Sequence, residues 1–116
     1  MESMSGAAAQ YDEEAYRFLL ESLERTRQRL GRRGHVTGRE ILDGIEELGG
    51  ERYGPMAALV FAEWGVRDGS DFGKIVYELI DRGVLFRRDE DSLEDFLGGR
   101  PYRVIFEDDY FSPDRR

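Results

Sequence analysis

Residues 72–96 read FGKIVYELIDRGVLFRRDEDSLEDF, and the hydrophobic period changes partway along this stretch. Phe72, Ile75, Val76, Leu79 and Ile80 recur at helical spacing, with Ser70 or Asp71 placed to cap the helix and Gly83 to stop it. Beyond Gly83, Val84-Leu85-Phe86 reads as a strand, and so does Tyr102-Arg103-Val104-Ile105-Phe106, both rich in residues that fit a pleated surface. Between them, Ser92-x-x-Asp95 can cap one turn carrying Leu93, Phe96 and Leu97, ended by Gly98-Gly99. The expectation is a helix running into a small β-hairpin with an acidic, partly helical tip.

Upstream the pattern is helical throughout. Asp12 caps a stretch in which Ala15, Tyr16, Leu19, Leu20, Leu23 and Leu30 form one stripe, so a helix is expected over about 12–30, ended by Gly31. Thr37-x-x-Glu40 is a capping box, with Val36 placed to staple onto Ile41, and Ile41, Leu42, Ile45 and Leu48 make the next apolar face. Gly49-Gly50 is expected to stop that helix. Gly54-Pro55 opens a third, lined by Met56, Leu59, Val60 and Trp64 and ended by Gly65. The fold expected is mostly α within an α+β class: four main helices plus a small C-terminal β-hairpin. The order of elements resembles the winged helix of bacterial regulators. Electrostatics depart from that comparison, because the helix in the recognition position carries Asp71, Glu78 and Asp81 against Lys74 and Arg82. Residues 1–10 read as a disordered N-terminal tail, 11–107 as a single compact domain and 108–116 as a C-terminal tail.

Size and composition bound the function. A chain of 116 residues and 13.4 kDa fits one domain. Surface scaling gives roughly 6,500 Å² folded against about 19,000 Å² extended, enough for a core without staples. Cysteine is absent, which excludes disulfides, zinc–thiolate sites and thiol nucleophiles, and the single histidine, His35, excludes a His-pair metal site. No apolar run approaches the ~20 residues of a membrane span, and MESMSGAAAQ lacks the charged start and apolar stretch of a signal peptide, so a cytoplasmic location away from membranes is expected.

Catalytic constellations are missing as well. Ser3, Ser5, Ser22, Ser70, Ser92 and Ser112 lie in no nucleophile-elbow pattern, and only His35 could serve them as a base. Arg32 and Arg33 beside His35 favour its neutral form, yet the sequence offers it no partner, and a histidine in a turn accounts for it. Asp89-x-Asp91-x-Leu93-x-Asp95 resembles a calcium loop only superficially, since the sixth position is Glu94 instead of glycine and the twelfth is Arg100 instead of glutamate. No phosphate-cradling glycine motif occurs. No metal, cofactor or catalytic residue is therefore expected.

Charge is distributed unevenly. The net charge of −8 disfavours nucleic acid and anionic membranes as nonspecific partners. Six arginines (25, 27, 29, 32, 33, 39) and no acid fall between Arg25 and Arg39, while Asp89–Asp109 carries eight acids against Arg100 and Arg103. Lys74 is the only lysine, a bias that fits a high-GC genome, a salt-adapted proteome or arginine chosen for bidentate recognition. The arginine stretch is either a solvated face offsetting the acidic segment, a phosphate or nucleic-acid contact, or a surface for an acidic partner. Arg27, Arg29, Arg32, Arg33, His35 and Arg39 are its candidate contact residues. Phe18 and Phe61 lie off the main stripes of their helices, so either a wide core absorbs them or they mark an interface.

The run HVTGREILDGIEELGGERYGPMAALVFAEWGVRDGSDFGKIVYELIDRGVLFRRDEDSLEDF, residues 35–96, resembles a small uncharacterised bacterial family met chiefly in planctomycete and verrucomicrobial genomes. HVTG and its helix (35–48), YGPMA (53–57), the Trp64-Gly65 pair, SDFGKIV (70–76) and EDSLEDF (90–96) carry the likeness. It implies a recurring domain of unassigned role and brings no activity, cofactor or site residue. The functional expectation is a non-enzymatic protein–protein interaction or self-associating module, including a homodimer. The alternative is nucleic-acid or phosphate-ligand binding through Arg25–Arg39.

Overall fold

The computed structural model describes residues 11–31, 36–85, 96 and 99–109. Four α-helices occupy them: α1 (Glu13–Leu30), α2 (Gly38–Tyr53), α3 (Ala57–Glu63) and α4 (Gly69–Asp81), with a 3₁₀ turn over Gly54–Met56 and a π-helical turn over Val104–Asp109. The chain is mostly helical, and no strand occurs among the described residues.

The first two helices form where the caps place them. The Asp12 carboxylate accepts from the Glu14 amide at 2.9 Å, Glu13 and Glu14 sit at the positive end of α1, and Gly31 in a left-handed conformation ends it. At α2 the capping box is complete: the Glu40 amide donates to Thr37 Oγ1 at 3.1 Å and the Thr37 amide donates to Glu40 Oε1 at 2.9 Å. Contrary to expectation, α2 does not stop at Gly49-Gly50 but continues to Tyr53. Gly49 serves packing. A Cβ there would stand 2.9 Å from the Phe61 ring and 3.4 Å from that of Phe106, so the missing side chain is what lets both rings reach the helix.

Helix α3 keeps part of its expected lining, with Val60 half-buried against the core, and turns the rest outward. Ala57, Ala58 and Phe61 are buried, whereas Met56 and Leu59 are 53% and 56% exposed. The reason lies in the segment itself: its only charged residue is Glu63 at the end of α3, so polarity marks the outer face at one position and side-chain size decides the rest. Small Ala57 and Ala58 allow close approach, and Phe61 fills the centre. Trp64 is buried as expected. The cap of α4 also moves, from Ser70 or Asp71 to Asp68, which accepts from the Ser70 amide at 2.9 Å while Asp71 accepts from the Arg67 amide at 2.8 Å.

The expected C-terminal β-hairpin is not found. Val84 and Leu85 fold back on the end of α4, both amides donating to the Leu79 carbonyl, at 2.9 and 3.2 Å. Phe86 and the acidic tip lie outside the described residues. Tyr102–Phe106, read as a strand, is helical: the Val104 and Ile105 amides both donate to the Pro101 carbonyl. A spacing of four puts Tyr102 and Phe106 on one face of either a strand or a helix, so alternation could not choose between them. Pro101, with its ring-fixed backbone, starts the helical turn. The Tyr102 amide then donates to the Arg67 carbonyl at 2.8 Å, tying this segment to the α3–α4 turn.

One aromatic core results. Phe61 stands with its ring centre 5.0–5.8 Å from those of Phe18, Trp64, Phe72, Tyr102 and Phe106. Most of these pairs are edge-on or tilted, the arrangements aromatic quadrupoles favour. Phe18 and Phe61, candidates for an interface, are 3% and 0% exposed; the wide core absorbs them.

Candidate functional site

The arginine-rich half of α1 packs antiparallel to α2, and the two helices exchange charges along their outer seam. Arg52 on α2 grips Glu21 with both Nη groups, Arg25 Nη2 meets Glu51 at 2.9 Å, and Arg29 Nε meets Glu47 at 3.4 Å. Arg27 lies 4.0 Å from Glu24, one turn back on α1. The sequence shows glutamates at four-residue spacing in α2 but not that they oppose these arginines. Only the antiparallel register pairs them. The Arg52 fork holds the Glu21 carboxyl below the usual carboxylate range.

The predicted contact residues are thus divided. Arg27 and Arg29 sit on α1 beside glutamates, and Arg39 is exposed in the first turn of α2. Arg32, Arg33 and His35 lie outside the described residues. Within the described part of the stretch, α1 offers arginines already facing carboxylates.

Beneath this seam the helices leave a cleft of about 50 Å³ lined by Arg25, Thr26, Arg29, Gly44, Glu47 and Leu48. Gly44 lets the helices come close here, because a Cβ at that position would meet Thr26 Oγ1 at 2.1 Å. Thr26 is 1% exposed, yet its hydroxyl has no hydrogen-bond partner, and the same holds for the buried hydroxyl of Ser22. A buried hydroxyl without a partner costs about 1–3 kcal/mol. In the sequence Thr26 is one polar residue on an otherwise apolar stripe, with no motif to single it out.

Two tyrosines join α1 to α4. Tyr11 Oη donates to Asp71 Oδ1 at 2.7 Å and Tyr16 Oη to Glu78 Oε1 at 2.6 Å. Burial, then the bond to the carboxylate, pushes both phenols well above their ordinary pKa. In the core, Tyr102 is raised by burial first and by the charges of Glu46, Asp68 and Asp71 second. No group of three or more potential metal ligands lies together among the described residues. No helix there is long and apolar enough to cross a membrane.

A different surface stands out on α3. Its outward side, together with the 3₁₀ turn before it, presents Met56 and Leu59, with Glu63 at its end, on a chain in which 36% of residues are charged. The Val104–Asp109 turn packs beside the 3₁₀ turn at the start of this face. No family model, curated protein or solved structure matches the chain.

Proposed function

We propose that this chain is a non-enzymatic protein-interaction module that self-associates through the outer face of α3. The observation that carries the reading is the exposure of Met56 and Leu59 on a segment without charge from Gly54 to Ala62. Two copies of a protein with net charge −8 repel, and they repel least where a face with a single acid, Glu63 at its end, meets its own two-fold mate. Sedimentation velocity across salt concentrations tests it. Dimerisation should hold or strengthen as salt screens the net repulsion, and Leu59→Glu, a change at an exposed position, should abolish it with the helical signal unchanged. A chain monomeric at roughly 1 mM, where association would be worth about −4 kcal/mol, overturns the reading. A dimer that weakens with salt would move the interface to the oppositely charged stretches.

Binding of nucleic acid has less in its favour. In the element order expected of a winged helix α4 would take the recognition position, yet α4 begins on Asp68 and Asp71, both engaged as caps, and carries Glu78 and Asp81 further along. Arg25, Arg27 and Arg29 face glutamates. Carboxylates in these positions oppose a phosphate backbone.

A further inference from the structure

The exposed face of α3 lies where the last described segment of the chain packs. Met56, Leu59 and Glu63 stand at i, i+3 and i+7, on one side of the 3₁₀ turn and the helix after it, about 10 Å from first to last. Pro55 beside them is exposed as well. Glu63 is exposed and has no ion pair among the described residues. The helical turn Val104–Asp109 packs on both the 3₁₀ turn and α3, so the chain leaves Asp109 next to this face. Residues 110–116, YFSPDRR, lie outside the described residues, and their sequence complements what the face shows. Two rings come first, Tyr110 and Phe111, and two cations follow, Arg115 and Arg116. Extended chain advances about 3.3 Å per residue, so the four residues from Phe111 to Arg115 reach about 13 Å, more than the one helical turn from Leu59 to Glu63.

We propose that residues 110–116 cover the outer face of α3 in the same molecule, with Tyr110 and Phe111 over Met56 and Leu59 and an arginine of the Arg115-Arg116 pair on Glu63. Charge and tethering choose this occupant. The segment carries two arginines against Asp114, whereas a second copy brings a net charge of −8. A tethered segment also meets the face at an effective concentration of about a millimolar, which a separate molecule must exceed. The contact stands by itself; its effect on dimerisation rests on the reading of this face as the self-association surface. There the segment competes with the second copy, and dimers form only from chains whose face is open.

Methyl spectra of the full 116-residue chain at high dilution test the contact. The rings should shift the Met56 ε-methyl and the Leu59 δ-methyls, and Tyr110→Ser with Phe111→Ser should return them toward free values with the helical signal unchanged. Arg115→Glu with Arg116→Glu should do so in part, with a smaller effect at high salt. A labelled chain mixed with unlabelled excess should show ring-to-methyl contacts within the labelled copy. Methyl shifts identical in the parent and the ring variant overturn the proposal, and so do contacts between copies, the mark of exchanged segments. Sedimentation of the same two chains reads the consequence: the ring variant should dimerise about tenfold more tightly. Dimers of equal strength overturn the competition. If neither chain dimerises, the self-association reading falls, while the methyl shifts still decide the contact.

Discussion

Trp64 and Tyr102 border the same ring, that of Phe61, and their substitutions are expected to act in opposite directions. Trp64 packs 5.3 Å from Phe18 and 5.4 Å from Phe61, so Trp64→Ala should cost about 3–5 kcal/mol, read as a drop in the urea midpoint. Tyr102 is 2% exposed and its hydroxyl has no partner, so Tyr102→Phe should leave stability unchanged or raise it by about 1 kcal/mol. Loss of stability in that variant would show that the hydroxyl is bonded after all. Tyr11 and Tyr16 give a pH signature. Their folded pKa values lie above the 10.0 of an unfolded tyrosine, so the unfolded chain gives up these protons first. Their contribution is complete below about pH 10 and is lost as pH rises beyond it. The fall in urea midpoint between pH 9 and pH 11 should therefore be shallower when Tyr11 and Tyr16 are both phenylalanine.

Among the elements, the helices with polar outer faces are legible in the sequence and those without are not. Asp12 and the Thr37/Glu40 box fix the starts of α1 and α2, because a cap is a local bond between neighbours. The inward face of α3 is hidden, since period carries little information on a helix whose single charge, Glu63, stands at its end. Gly49 looks like a stop for a related reason: its role depends on Phe61 and Phe106, distant in the chain, and no local pattern announces them. Gly49→Ala tests that role. On propensity alone the change in a helix interior is worth up to about 1 kcal/mol of added stability. Here the new methyl meets a buried ring at 2.9 Å, and a net loss of about 1–3 kcal/mol is expected from the denaturation midpoint. The glutamates facing the arginines are visible as charges and invisible as partners, because register between helices is a tertiary fact. So is the unpaired hydroxyl of Thr26. Each exposed pair along that seam contributes ~1 kcal/mol or less, so Glu21→Gln should lower stability only slightly, and less at high salt.

At the scale of the whole molecule, the part of the basic stretch that lies on α1 is answered locally. Its arginines are answered by glutamates of α1 and α2, and the chain meets its surroundings with its net charge of −8. Retention on heparin is accordingly expected to be absent at about 50 mM salt. Were it present, replacing Arg27, Arg29 or Arg39 should reduce the salt slope by roughly 0.7–0.9 for every phosphate that the arginine neutralised.

The segment from Pro101 onward has a consequence for how the protein comes to be made. Synthesis delivers α1 to α4 before it delivers Tyr102 and Phe106, yet these two rings complete the surroundings of Phe61. A nascent chain that has emerged only through Leu85 therefore owns α1 to α4 and still shows water the side of Phe61 that should be dry. Stalled chains of increasing length should stay protease-sensitive until Phe106 clears the exit tunnel, then become resistant within a few residues. Birth of the fold is timed by its latecomer, and a chaperone that shields aromatic surface has its window of use in that interval.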